Sequence, residues 1–505
     1  MKHLIKNLIA SAILLTACVS ANAQTFLYDG LWFDIESDET CILRSTWIGP
    51  KYSGDIIVPE KAIYDGKEYT VTKTLGAFWR CDELTSVSLP ETITTIGDQS
   101  FENCKKLHTL KIPNSVTYIG SYAFNECNAL TGITIPDGVT VIGRSAFRHC
   151  DNITSVNIPN GIKYIDYATF AGCGKLTSIA LPNSLTYIGE SAFSACRFTS
   201  ITIPASVDTL GDFAFNSCER LTDIDLSHIS KINKYAFQNA FSLKSVCILK
   251  ANHVEDKAFG ACKNIETFVL PYYGWTEKFK LDFSDLASLN SLYIGEGTTN
   301  IPDNAFGNKT NLLNVYSNAT TPPSISPTTF SYITCYKGTL YVPKGCIDVY
   351  KSAEGWSMFR DFQELPYQVV ITDDNASVDV SKSITVDASV SPADATTAPI
   401  MWYSLDEDIA TVTADGVVTG VAKGEATLVA FCDGITATLK INVTGTDAVE
   451  SILTDTMAEG STFDVYNLQG IRVASGIHKA EFSADHFAPG IYILVSSKGC
   501  LKIKI

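Results

Sequence analysis

Leu107-His-Thr-Leu-Lys-Ile112-Pro-Asn-Ser-Val116-Thr-Tyr-Ile-Gly120-Ser-Tyr-Ala-Phe124-Asn-Glu-Cys127 decides the fold, because its spacing recurs on both sides of it. Leu84 to Cys104, Leu130 to Cys150, Ile153 to Cys173, Leu176 to Cys196 and Phe198 to Cys218 carry the same apolar offsets, roughly 23 residues apart. A unit this short cannot bury its own apolar face, so it must stack on its neighbours. Stacked units present one long surface rather than one deep pocket. That points to a binding scaffold.

Within the quoted unit Leu107, Leu110, Ile112, Val116, Ile119, Phe124 and Cys127 are expected to point inward. The first segment reads as a short strand ended by Pro113, which lacks an N–H to give to a ladder. Gly120 is read as a backbone turn, and Ser121 to Cys127 as a tight helical turn leading to the next coil. The same offset places Phe101, Phe124, Phe147, Phe170, Phe193, Phe215, Phe237, Phe259 and Phe306 on one spine.

Fifteen cysteines in an exported chain ordinarily indicate a disulfide framework. Here Cys81, Cys104, Cys127, Cys150, Cys173 and Cys196 fall at one repeat position, followed by Cys218 and Cys262. Parallel side-chain vectors on successive rungs do not give the dihedral that a disulfide needs. They are read as a buried ladder of small hydrophobes. Cys335 and Cys346, flanking what reads as a hairpin, are the better candidates for a bond.

The net charge of -16 excludes a nucleic-acid partner, since no basic patch exists to replace counterions. The N-terminus carries Lys2, His3 and Lys6, an apolar stretch from Leu8 to Ala17, and Ala21-Asn-Ala23. This reads as a signal peptide cleaved after Ala23. The alternative is a lipoprotein signal, Leu15-Thr-Ala-Cys18, with acylation at Cys18. No later run is long enough for a transmembrane span.

Two aromatic groups are candidate ligand contacts. The residue before the inward isoleucine is Tyr118, Val141, Tyr164 and Tyr187 on consecutive coils. Exposed tyrosines there would form a strip able to engage protein or sugar; stacking between rungs explains them equally well. Tyr272, Tyr273, Trp275 and Phe279 interrupt the repeat, and an irregular loop on a rigid scaffold is a common place for recognition. Packing beneath that loop is the other reading. The exposed strand positions are small and polar, among them Thr85, Ser86, Ser88, Thr131, Thr134, Thr154, Ser155, Asn157, Thr199, Ser200 and Thr202. They make either a solvated sheet face or a hydroxyl-rich contact surface.

The pattern Leu-x-x-Ile-x-Ile-Pro, Val-x-x-Ile-Gly, Ala-Phe-x-x-Cys resembles the repeats of BspA-like leucine-rich-repeat surface proteins over about residues 50 to 366. Tyr64-Asp-Gly-Lys-Glu-Tyr69 and Leu340-Tyr-Val-Pro through Trp356 and Phe359 are similar to that family's caps. From Gln368 to Thr444 alternating strands with glycine turns indicate a β-sandwich with Trp402 in its core. Ile409-Ala-Thr-Val, Asp415-Gly-Val-Val-Thr-Gly420 and Gly424-Glu-Ala-Thr resemble the bacterial immunoglobulin-like group 2 domain. Phe463-Asp-Val-Tyr-Asn-Leu-Gln-Gly470, Phe487-Ala-Pro-Gly490 and Lys502-Ile-Lys-Ile505 resemble the sorting domain of the type IX secretion system.

The expected organisation is a signal peptide (1–23), an N-terminal cap with a first irregular repeat (24–83), a solenoid (84–311) and its C-terminal cap (312–366). An immunoglobulin-like β-sandwich (368–444) and a small β-sandwich-like sorting domain (461–505) follow. The resemblance implies an adhesin-like protein, extracellular or at the outer-membrane surface. The implied partners are host extracellular-matrix or cell-surface proteins, other bacteria or glycans, and the secretion machinery through the tail. No cofactor or metal is expected. The histidines His3, His108, His149, His228, His253, His478 and His486 are scattered. Neither a GxSxG elbow, an HExxH pair nor a phosphate loop occurs.

Overall fold

The computed structural model describes residues 24–45, 51–372, 377–444, 462–467, 472–478, 491–496 and 499–504. The signal peptide, Cys18, the 445–461 linker and the tail loops lie outside these residues. The chain divides into two compact units, 1–364 and 365–505.

The first unit is a parallel β-solenoid, built because each coil places the same side chains inward. Leu107, Ile112, Val116, Ile119, Phe124 and Cys127 are buried, with at most 8% exposure across the quoted unit including Leu110. One ladder joins two-residue strands in exact repeat register: Thr95–Ile96, Tyr118–Ile119 and Val141–Ile142, then Tyr164–Ile165, Tyr187–Ile188, Thr209–Leu210, Lys231–Ile232 and His253–Val254. A second begins with Gly54–Ile57, Leu84–Ser88 and Thr109–Leu110 and ends with six parallel strands from Ser245–Cys247 to Asp361–Glu364. Both ladders bury alternate residues, as the pleat requires.

The third face differs from expectation. Ser121 to Cys127 does not form a helical turn. Tyr122 and Glu126, at φ 57° and 60°, are left-handed, and the pattern recurs at Gln99 and Asn103, Ser145 and His149, Ser191 and Ala195. The reason lies in hydrogen bonding. A left-handed residue on each side of phenylalanine turns alternate N–H groups toward the next coil: Tyr122, Phe124 and Glu126 donate to the carbonyls of Arg144, Ala146 and Arg148 at 2.7 to 2.9 Å. The intervening Cys127 N–H closes back on Phe124 at 3.2 Å. A helix would satisfy these groups locally and leave the coils unjoined. Each non-glycine residue there costs about 1–2 kcal/mol, offset by satisfied backbone groups.

Gly120, read as a backbone turn, does not take a positive φ. A Cβ on it would lie 2.5 Å from the Asp98 N–H nitrogen. The glycine is needed for close approach between coils.

Rings from Phe78 through Phe259 stack one coil on the next, with centroids 5.1 to 5.7 Å apart. Phe78, ahead of the repeats read from sequence, starts the column. Beside it runs the cysteine ladder, whose thiols are free and are more than small hydrophobes. Cys104, Cys127, Cys150, Cys173, Cys196, Cys218 and Cys262 each donate to the phenylalanine carbonyl of the preceding coil at 3.0 to 3.3 Å. That carbonyl thereby uses both lone pairs, one on an N–H of its own coil and one on a thiol.

The solenoid ends are covered, as stacked repeats demand. At the N-terminus Thr25–Tyr28, Leu31–Ile35 and Thr40–Arg44 form an antiparallel meander joined in parallel to Lys67–Leu75. At the C-terminus Trp356 and Tyr350 are fully buried, and their Nε1–H and hydroxyl donate to the Pro323 and Ala319 carbonyls. Cys335 and Cys346 do not flank a hairpin. Cys335 is buried in the helix Tyr332–Lys337, Cys346 begins the helix Ile347–Ser352, and the strand Thr339–Val342 between them pairs in parallel with both neighbours. Both thiols are free.

In the second unit, Ser377–Asp379, Ile435–Thr444, Gly424–Cys432 and Met401–Ser404 form one sheet, and Ser383–Thr385, Val417–Gly420 and Ala410–Val412 another. Trp402 is 5% exposed in their shared core. The described tail strands pair antiparallel in the order Arg472–His478, Thr462–Asn467, Ile491–Ser496, Gly499–Lys504.

Phe147→Ala, removing a ring held between Phe124 and Phe170, is expected to lower stability by about 3–5 kcal/mol in urea melts. Ala168 is left-handed at φ 51°, so Ala168→Gly should leave stability unchanged or raise it by up to about 1 kcal/mol. Ala146→Gly, at a buried position without positive φ, should cost about 1 kcal/mol or more. Equal losses for the two glycine variants would contradict the left-handed assignment.

Candidate functional site

The two-residue strands fix the outward column read from the sequence. Lys73, Thr95, Tyr118 and Val141 lie side by side, as do Tyr164, Tyr187, Thr209, Lys231 and His253. Each precedes an inward residue, aliphatic in every case but Thr74 after Lys73, so the pleat turns it outward. Tyr118 is half-buried, while Tyr164 and Tyr187 are 44% and 38% exposed. The strip is not continuous. No strand pairing joins Val141–Ile142 to Tyr164–Ile165, which separates Tyr118 from the Tyr164–Tyr187 pair. Asp166 stands at the break where most coils carry glycine, yet Asn233 and Glu255 occupy that position downstream with pairing intact.

Burial pushes the Tyr118 hydroxyl upward, and Asp98 adds to the effect. The Tyr187 hydroxyl is raised by burial and then by Asp212, Asp166 and Glu190. Both tyrosines therefore stay neutral donors at physiological pH.

The second group is divided in its roles. Tyr272 is 8% exposed and meets Tyr273 edge-on at 4.9 Å, while Tyr273 is 50% exposed. Trp275 is half-buried and packs on Phe279, Phe283 and Phe306 at 5.3, 6.1 and 5.8 Å. After Phe259 the ring contacts pass through Phe268 to Phe283 and Phe306, and Trp275 packs against the last two. Thus Tyr273 reaches solvent, whereas Trp275 mainly supports the core.

Sequence reading missed a regular aromatic feature downstream. Tyr293, Tyr316 and Tyr341 share one register and stack with centroids 4.4 and 4.5 Å apart. The signal was Ser-Leu-Tyr-Ile294, Asn-Val-Tyr-Ser317 and Thr-Leu-Tyr-Val342, an alternation without the Ala-Phe-x-x-Cys marker. Tyr316 is stacked on both faces, and all three rings are half-buried. Also unread was Lys309, which stands at the cysteine position after Phe306. Its ammonium donates to the Ser284 and Leu286 carbonyls at 2.9 and 3.2 Å, and burial lowers its pKa against the pull of Asp282 and Asp285. This lysine replaces the thiol as a donor to the preceding coil.

Of the polar strand positions, Thr85 and Ser86 are half-buried and donate to Asp55 Oδ1 at 2.8 and 2.6 Å. Ser88, Thr131, Thr134, Thr154, Ser155, Asn157, Thr199, Ser200 and Thr202 are exposed. Among the described residues no group of three His, Cys, Asp or Glu side chains could hold a metal ion.

The recurring Phe-x-x-Cys coil matches the family described as "BspA type Leucine rich repeat region", in overlapping segments 74–196, 140–266 and 230–353. The chain belongs to this BspA-type repeat family. Residues 367–446 match the bacterial Ig-like domain, group 2. Neither matched family is a catalytic kind.

Among solved structures, a leucine rich cell surface protein of Faecalibacterium prausnitzii aligns at 24% identity over 68% of this BspA-type chain and 96% of its own, with a TM-score of 0.43. A leucine-rich repeat protein of Bacteroides ovatus aligns at 24% identity over 67% of this chain and 99% of its own, with a TM-score of 0.39. At such scores the family match carries the assignment. A 70-residue stretch is 40% identical to an alpha-L-arabinofuranosidase of Bifidobacterium longum, covering 14% of this chain and 7% of that protein. The chain thus spans a small fraction of that relative's length.

Burial pushes the Cys173 and Cys218 thiols up to about 12, so little thiolate exists to react. Native protein treated with a thiol-specific reagent should label the half-exposed Cys346 well before the ladder cysteines, which should react only on unfolding. Peptide mapping after labelling reads this directly. Rapid native labelling of Cys150 or Cys173 would contradict the closed ladder.

Proposed function

We propose that this BspA-type protein is a non-enzymatic binding protein, displayed on the cell surface or secreted, that presents its solenoid to other proteins in the manner of an adhesin. The observation that carries this reading is the exposed, in-register pair Tyr164 and Tyr187 on a repetitively bonded scaffold. Tyrosine combines a large apolar face with a polar tip and loses little side-chain entropy on binding. Host extracellular-matrix and cell-surface proteins, and proteins of other bacteria, are the proposed partners. Tyr118 and Tyr273 are further contacts elsewhere on the solenoid; Tyr272 and Trp275 act by supporting Tyr273 and the neighbouring core.

The N-terminal segment 1–23 is proposed as the export signal, with cleavage after Ala23 rather than acylation of Cys18. The immunoglobulin-like domain serves as a spacer and the tail as the element read by type IX secretion machinery. Its resemblance in sequence and the antiparallel pairing of its described strands support that role. No helix among the described residues is long and apolar enough to cross a membrane, which is compatible with display through the tail.

The test is binding of the full chain and its Tyr164→Ala/Tyr187→Ala variant to immobilised matrix proteins, epithelial cells and a glycan array. Saturable binding to a protein, weakened at least about tenfold in the variant, is expected. Failure to bind any protein or cell overturns the reading. Binding to glycans alone would replace it with a glycan-capturing role.

A further inference from the structure

The capping coil departs from a rule that the repeat coils keep. Thr222, Lys244, Glu266 and Asn290 form one column at the start of successive strands, each N–H from Lys244 onward donating to the carbonyl one coil earlier. All four are polar, and the Lys244 ammonium meets Glu266 at 2.6 Å. Leu313 continues the column through its N–H to the Asn290 carbonyl, and it is 37% exposed. Further on the chain forms the helix Tyr332–Lys337, which exposes Tyr332, Ile333 and Tyr336 at 69%, 38% and 43%. Among the described residues Tyr332 is the most exposed aromatic side chain. Leu313 borders the end of this helix, since its carbonyl accepts the Thr339 N–H at 2.8 Å.

The helix is held in place from within. Thr334 and Cys335 are buried, and the Ser331 and Thr334 hydroxyls donate to the Lys309 carbonyl at 3.2 and 2.8 Å. Tyr332 and Tyr336, four residues apart, therefore share the outward face. Their rings stack there with centroids 5.7 Å apart and planes 21° from parallel. On the coil that follows, Arg360 donates its backbone N–H to the Cys335 carbonyl at 3.0 Å, and its guanidinium carbon lies 3.9 Å from the Tyr336 centroid.

That contact orients the guanidinium without neutralising it. Arg360 and Lys337 are exposed and carry no ion pair among the described residues. The neighbouring carboxylates are engaged: Asp361 accepts from the Thr339 hydroxyl at 2.7 Å, and Glu364 from the Gly345 N–H at 2.8 Å. A contiguous exposed apolar surface marks an interaction site. With unpaired cations at its rim, it complements a partner that brings an apolar side chain and an anion together. Tyrosine and arginine are also the residue types that concentrate binding energy at protein contacts. Ile333, branched and without a polar tip, favours protein over sugar as the occupant.

We propose that Leu313, Tyr332, Ile333, Tyr336 and Arg360 form a second docking site, for a protein segment that carries an aromatic or aliphatic side chain beside a carboxylate. The apolar side chain covers Tyr332 and Ile333, and the carboxylate accepts from the Arg360 guanidinium. The site lies on other coils than Tyr164 and Tyr187 and goes beyond the role assigned to them.

The probe is a random-peptide phage library selected on the immobilised full chain. Enriched peptides are synthesised with a fluorescent label, and their affinities for wild type and variants are read by anisotropy. Peptides with Asp or Glu next to an aromatic or aliphatic residue are expected. Tyr332→Ala/Ile333→Ala should weaken them at least about tenfold, and Arg360→Gln about tenfold. Both variants change exposed side chains, so their urea midpoints should match wild type. Tyr164→Ala/Tyr187→Ala should leave these peptides bound, which separates this site from the one proposed above. Replacing the peptide's acid by its amide should cost about tenfold on wild type and nothing further on Arg360→Gln, as a direct contact requires.

A selection yielding no peptide that depends on Tyr332 and Ile333 would overturn the site. So would dependent peptides that lack an acid or ignore Arg360→Gln. Binding that depends on Tyr332 on a glycan array, with no peptide enriched, would replace the protein segment with a sugar and overturn the assignment.

Discussion

The whole solenoid depends on one constraint: a coil of this length can pair only part of its own backbone. Its remaining N–H and C=O groups must find partners one coil away on each face, and a buried unpaired group costs on the order of 1–3 kcal/mol. Once that holds, every side chain is locked to one position relative to the next coil. The phenylalanine column, the thiol ladder and the tyrosine column are consequences of that register. Even costly left-handed residues such as Tyr122 and Ser191 follow from it, because they aim backbone donors along the stack.

The same constraint explains what the sequence disclosed. Inward positions were legible because burial filters residue type: Leu, Ile, Val and Phe recur at fixed offsets wherever the coil closes. The column holding Tyr118, Tyr164 and Tyr187 followed from counting one residue back from the inward isoleucine. What stayed hidden was conformation that residue type does not report. Tyr122, Ala168 and Phe213 all occupy the same left-handed position, so no preference betrays it. The thiol hydrogen bonds were hidden for a related reason, since a cysteine chosen as a small buried donor and one chosen as a small hydrophobe look identical.

The downstream site features were obscured by changes in repeat marker. Tyr293, Tyr316 and Tyr341 lie where Phe-x-x-Cys no longer signals the phase, and Lys309 stands at a cysteine position with chemistry unlike cysteine. Trp275 was legible as unusual, with packing as one of two readings, but its partners were not, because Phe283 and Phe306 become its neighbours only when the coils stack.

The missing pairing between Val141–Ile142 and Tyr164–Ile165 also bears on mechanics. Across that junction Ser145, Phe147 and His149 still donate to Tyr167, Thr169 and Ala171, and Ile133 and Val156 are bridged on the second ladder, so two of the three faces stay joined while the third is released. A junction that loses pairing on one face flexes more easily than one held on all of them. The solenoid is therefore of uneven stiffness, with bending compliance wherever a ladder is interrupted, one such joint lying beside the exposed tyrosine pair.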